Sequence, residues 1–213
     1  MFALDRDLLA LEPTLFRDLQ WAGQTLARGN LISSGLGLQF DFDVDLSGRG
    51  VGPGSVVVAT GVSYEVVELL GAAEFAVTLP RDSLESGAMS PGLVGSGLAW
   101  IVTFRSQIAM AHRNLLAMAG IDADAAPAPD VVTADKIVNW RSLRYIEALA
   151  ALKLIWTAAG VGLDEKHPAN QRAAEYGARF REARHTAVLE IDTDGDGKAD
   201  AVRRLGAVWL VRG

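Results

Sequence analysis

The spacing of apolar residues changes twice along this chain, and that change restricts the fold more than any other feature. From Leu36 the period is two: Gln39, Asp41, Asp43 and Asp45 alternate with Phe40, Phe42, Val44 and Leu46, the pattern of a strand with one buried face. Ser55–Ala59 and Val62–Leu69 are two further β-rich runs joined by Thr60-Gly61, a tight hairpin signal, and Glu74–Leu79 follows Gly71 as another strand. Four strands within about forty residues predict a small antiparallel barrel or sandwich. On both sides the period is helical. Strands confined to one block and helices to the flanks predict an α+β protein with an inserted β-module.

The flanks are read from their stripes and stops. Residues 5–28 predict helix in two pieces broken at Pro13, with Thr14 as a cap and Leu15, Leu19, Ala22 and Leu26 in phase. In WIVTFRSQIAMAHRNLLAMAGI, residues 100–121, Ile101, Phe104, Ile108, Ala111 and Leu115 line one helical face, and Gly120 stands ready for a left-handed cap onto which Ile121 folds back. A longer helix is expected from Thr133 to about Ala159, with Lys136, Asn139, Arg141, Arg144 and Glu147 on a polar arc and an apolar remainder. Gly160 and Gly162 end it. Asp164 is the expected cap of the next helix, on which Ala173, Tyr176, Phe180 and Ala183 form a stripe. Thr186–Ile191 and Val202–Val211 then predict a C-terminal β-hairpin or arm. The expected organisation is a bundle of about four helices from residues 1–30 and 91–213, interrupted by a β-module with its linker at 31–90.

Composition removes several function classes. The chain has 213 residues, no cysteine and a net charge of −6. A disulfide framework and thiolate metal sites are excluded, in keeping with a reducing compartment. Asp5, Arg6 and Asp7 stand where a signal peptide would be apolar, so no export signal is expected, and no apolar run is long enough to span a bilayer. Residues 1–100 hold 5 Lys/Arg against 12 Asp/Glu, and residues 101–213 hold 15 against 14. Neither half carries the basic footprint of a nucleic-acid-binding surface.

Few residues point to chemistry. Asp192, Asp194, Asp196 and Asp200, bent at Gly197, are the sharpest local signal: carboxylates at alternate positions can wrap a hard cation such as calcium. Arg203 stands where an EF-hand needs its bidentate glutamate, and the flanks predict strand, so an EF-hand is excluded. A calcium loop between strands and a bare polar turn are both compatible with these residues. Asp41, Asp43 and Asp45 share a strand face; a solvated face is the expectation, and in a DNA passage such a stripe would keep the duplex from sticking. His112, His167 and His185 lack metal-ligand spacing, and neither glycine-rich stretch has the phosphate-loop pattern. Trp21, Trp100, Trp140, Trp156 and Trp209 are expected to anchor core or subunit contacts. No nucleophile–base pair is recognisable, so an enzyme, including a small hydrolase, is not expected.

Three stretches carry a resemblance: TFRSQIAMAHRNLLAMAGI; the pair LRYIEALAALKLIW and ANQRAAEYGARFREAR; and the ending VLEIDTDGDGKADAVRRLGAVWLVRG. In this order, over residues 93–213, the chain resembles the head–tail connector (adaptor) proteins of tailed bacteriophages and gene transfer agents, whose helices are followed by an arm ending in a D-x-D-G-D-G-like turn. The β-module at 36–80 departs from the simplest all-helical members. The resemblance implies a structural protein of the virion neck, made in the bacterial host cytoplasm. It implies a homo-oligomeric ring, usually of twelve subunits, docked under the portal protein. Such a ring extends the DNA channel, lets DNA pass through without sequence-specific binding, and offers a platform to the stopper or tail. Arg179, Arg181, Arg184, Arg203, Arg204 and Trp209 would then face a neighbouring subunit or the portal, the alternative for the arginines being a solvated face, and Asp41, Asp43 and Asp45 would be channel-lining candidates. The resemblance implies no cofactor; calcium enters only through the aspartate loop. A calcium-dependent binding module using Asp192–Asp200 is the alternative from a different class.

Overall fold

The computed structural model describes residues 1–34, 37–89, 96–126, 128 and 131–206. It divides the chain into two units, one of residues 4–105 and one that joins residues 1–3 to 106–213. The breaks fall after residues 3 and 105, where the sequence suggested 30 and 90. The reason lies in strands at both ends of the first unit.

That unit is a closed antiparallel barrel of six strands: β1 (Thr25–Ser34), β2 (Gly37–Phe40), β3 (Val56–Ala59), β4 (Val62–Leu69), β5 (Glu74–Thr78) and β6 (Gly97–Val102), ordered β1-β2-β5-β4-β3-β6. The β3–β4 hairpin turns at Thr60 and Gly61, both at positive φ, 51° and 82°, which matches the twist of a two-residue hairpin. The interior is filled by side chains, among them Leu31, Phe40, Val57, Val66, Phe75 and Ile101, as a barrel this small requires. Two short helices, α1 (Asp5–Leu11) and α2 (Leu15–Asp18), contact the outside of β3 and bury Leu8, Leu9, Leu15 and Phe16.

Three sequence expectations are corrected here. The second N-terminal helix stops at Asp18, and Thr25 to Ser34 is strand. Leu26 is in helical phase with Leu19 by coincidence. Gly29 lets the Phe42 ring lie on the strand, where a Cβ would collide with it. Trp100, Ile101 and Val102 belong to β6, paired with β1 and β3, so the core helix α3 starts at Arg105 and ends at Met118. Asp41–Leu46 lies beyond β2 as a loop that bends at Asp41 and Phe42; Val44 and Leu46 are buried and the three aspartates exposed, as the alternation suggests, whereas Phe42 is exposed.

In the second unit α3 closes as expected. Gly120 has φ 67°, its N–H donates to Ala117 O, and Ile121 N–H donates to Leu116 O, the double bond of a glycine C-cap. Residues 134–136 form a single 3₁₀ turn, not the first turn of a long helix. Ile137 bridges Ile191 instead, and Val138 N–H donates to Glu190 O. Helix α4 (Trp140–Ala159) therefore begins seven residues after Thr133. Helix α5 (Pro168–Thr186) is capped by His167, whose Nδ1 accepts from Ala169 N–H at 3.2 Å; Asp164 is not the cap. The two helices run in opposite directions: Arg179 reaches Tyr145, and Arg172 lies over Trp156. Strands β7 (Val188–Ile191) and β8 (Ala201–Arg204) form the expected C-terminal hairpin, as far as residue 206. Trp209 and the rest of the predicted closing strand lie outside the described residues. The architecture is α+β, with five α-helices, the barrel and the two-stranded sheet among the described residues.

Candidate functional site

The aspartate loop joins β7 to β8 and folds by accepting its own backbone N–H groups. Asp192 Oδ1 accepts from Gly195 N–H at 2.6 Å and Oδ2 from Gly197 N–H at 2.8 Å. Both glycines have positive φ, 87° and 84°, so the chain can turn twice around one carboxylate. Asp200 Oδ2 accepts from Thr193 N–H and Oγ1, each at 2.8 Å. These donors hold both carboxyls below the usual aspartate range: for Asp192 the N–H groups of Gly195 and Gly197, for Asp200 those of Thr193. Oxygens of Asp192, Asp194 and Asp200 gather within 4.8 Å of one another. Asp196 stands apart, accepting from Lys198 N–H at 2.8 Å, with Lys198 Nζ 3.7 Å away. The cluster offers a hard cation three oxygen ligands. As a turn it is already satisfied by its own hydrogen bonds.

The arginines singled out in the sequence have different fates. Arg203 Nη1 donates to the carbonyls of Ala119 and Gly120 at 2.8 and 3.0 Å, so it caps the negative end of α3. Arg184 lies over Phe180 and contacts Met118 Sδ. Arg179 stacks on Tyr176 at 5.3 Å and donates to Tyr145 Oη at 3.3 Å; that bond holds its proton more tightly than usual. Arg181 and Arg204 are exposed. Asp45 accepts from Ser47 Oγ and Gly48 N–H, which depress its pKa and make it a turn residue of the barrel loop.

Two buried polar clusters escaped the sequence reading. Glu147 belongs to the core and not to the expected polar arc: it is 0% exposed. Its Oε1 accepts from the backbone N–H groups of Phe2 and Ala3 at 3.0 and 3.1 Å, and its Oε2 lies 2.8 Å from His112 Nδ1. The Phe2 ring meets His112 edge-on at 4.6 Å. One carboxylate thus ties the N-terminus to α3 and α4. The available signal was a lone Glu ahead of the apolar run 148–152, with a lone His on the facing stripe. In the barrel unit Glu65, 0% exposed, holds Arg6 and Arg81. Arg6 Nε is 3.0 Å and Arg81 Nη2 2.6 Å from Glu65 Oε1; the Arg6 contact is an ion pair without hydrogen-bond geometry. Arg6 also donates to the Arg81 carbonyl. Both clusters are internal braces by their burial and partners.

Three open hollows lie among the described residues. One of about 470 Å³ lies beside Phe2, Asp135 and Trp140, one of about 350 Å³ between Leu143, Tyr145 and Ala183, and one of about 490 Å³ beside Asp41, Phe42 and Glu74. None of these three brings a hydroxyl or thiol nucleophile against a histidine. No helix among the described residues is long and apolar enough to cross a membrane. No family model, no curated protein and no solved structure matches this chain.

Proposed function

We propose that this chain is a structural head–tail connector of a tailed phage or phage-like particle, without an enzymatic role, forming a ring under the portal that extends the DNA channel and docks the stopper or tail. The observation that carries this reading is the order of elements in residues 106–213. A core helix is followed by a long antiparallel helix pair and then by a two-stranded arm with the DTDGDG turn at its tip. Such a chain offers several different surfaces, which a closed ring of head-to-tail contacts requires. The internal polar clusters support the same reading, since their charged groups brace the fold. The test is to mix the purified chain with a purified portal ring and measure the mass and image of the product. The expected result is one added ring, of about twelve chains, on the portal; a chain that remains monomeric and unbound contradicts the proposal.

A second reading, a calcium-dependent binding module, is favoured by one observation: the three carboxylates of Asp192, Asp194 and Asp200 converge. Calorimetry with calcium on the whole chain tests it. Heat of binding that disappears in Asp192→Asn supports the reading, and no heat removes it.

A further inference from the structure

The two units carry complementary surfaces. Residues 4–105 hold 12 Asp/Glu against 6 Lys/Arg, and the excess shows beside the 490 Å³ hollow. There Asp41 and Asp43 flank Phe42, which is 37% exposed, and Ile32 in the same hollow is 44% exposed. This is an apolar face with an acidic border. Helices α4 and α5 hold seven Lys/Arg against three Asp/Glu, one of which, Glu147, is buried. The 350 Å³ groove between them is floored by Leu143 and Ile146. Tyr145, 47% exposed, forms its edge, with Arg179 hydrogen-bonded to it and Arg141 one helical turn away. Exposed aromatics bordered by arginine have the composition of interface centres.

We infer that the Asp41–Phe42–Asp43 face of one copy docks on the Tyr145–Arg179 groove of a second copy, head to tail. The occupant is argued from charge: each apolar patch has a border of the sign opposite to the other, and neither is self-complementary. Two copies placed patch to patch would oppose like charges, which disfavours a two-fold dimer. A heterologous contact leaves one free patch of each kind and propagates, giving rings or filaments. This inference rests on the ring proposed above and names the surfaces that would build it.

The experiment is sedimentation equilibrium of the full chain at low and high salt, with two double variants, Asp41→Lys/Asp43→Lys and Arg141→Glu/Arg179→Glu. All the altered carboxylates and guanidinium groups are at the surface or partly exposed, and circular dichroism checks folding. Wild type is expected to self-associate in low salt and to weaken as salt screens the pair. Each double variant is expected to weaken association by about tenfold or more. An equimolar mixture of the two is expected to recover association, because the reversed charges of one variant match those of the other and the unaltered patches still fit each other. Monomeric wild type at low salt, association indifferent to both reversals, or a mixture that associates no better than either variant alone overturns the inference. Portal binding separates the two proposals: variants that load the portal as fully as wild type refute this contact and leave the connector reading standing. Patch-dependent association by a chain that ignores the portal does the reverse.

Discussion

Replacing Glu147 by Ala should be among the most damaging single changes in the second unit. The carboxylate is fully buried and serves three donors: Phe2 N–H, Ala3 N–H and His112. Leaving a buried donor unsatisfied costs about 1–3 kcal/mol. The three do not simply add, because residues 1–3 can peel away and rehydrate their N–H groups. His112 is 8% exposed and held on α3, so it has no such escape. The peeling also uncovers Phe2, itself 8% exposed, which forfeits part of the roughly 1.5–3 kcal/mol its ring gains by burial. A loss of about 3–4 kcal/mol follows. For a chain of this size that lowers Tm by about 6–16 °C. Glu147→Gln keeps an acceptor for the two N–H groups and turns an amide toward His112, so about 1–2 kcal/mol is expected. Urea unfolding measures the loss, and amide exchange at Ala3 reports the local detachment. An Ala variant within 1 kcal/mol of wild type, with Ala3 still protected, would refute the clamp.

Other expectations follow from the same structure. Asp5 lies buried against Phe104 N–H and Thr103 Oγ1, and burial raises its pKa from 3.8 to about 6 despite those bonds. The native state therefore holds its proton longer than the unfolded chain. Its contribution is most favourable below pH 3.8 and falls by about 3 kcal/mol as pH rises through 6. Asp5→Asn should remove that slope, so urea midpoints of variant and wild type should draw apart between pH 4 and 6, with the variant gaining; parallel midpoints sink the assignment. Glu65→Ala leaves Arg6 and Arg81 buried without their shared carboxylate and should cost about 3–5 kcal/mol by the same assay. Gly120→Ala meets open space apart from Arg203 at 3.7 Å, so its cost is backbone strain of about 1 kcal/mol; a neutral result would mean that the cap relaxes freely.

What the sequence disclosed was local. The Thr60-Gly61 turn, the Gly120 cap with Ile121, and the Tyr176–Phe180 stripe are set by neighbours a few residues away, and each is found where periodicity and turn chemistry put it. What it concealed was long-range. Thr25–Ser34 becomes strand because β2 and β6 pair with it from both sides, and the same pairing takes Trp100–Val102 from the helix. Residues 136–138 are drawn out by β7, over fifty positions away. Asp192, Asp194 and Asp200 converge, as their spacing suggests, while Asp196 turns aside because its oxygen serves Lys198 N–H. Glu147 and Glu65 could not be recognised as buried, since their partners lie 16 to 145 residues distant.

The connector reading meets its most direct test in electron microscopy of tailed particles from a host that makes this chain, with the chain tagged. The reading predicts a labelled ring of about twelve copies between portal and tail, and tailless heads when the gene is deleted. Particles that assemble complete necks without the chain, or that never contain it, would contradict it.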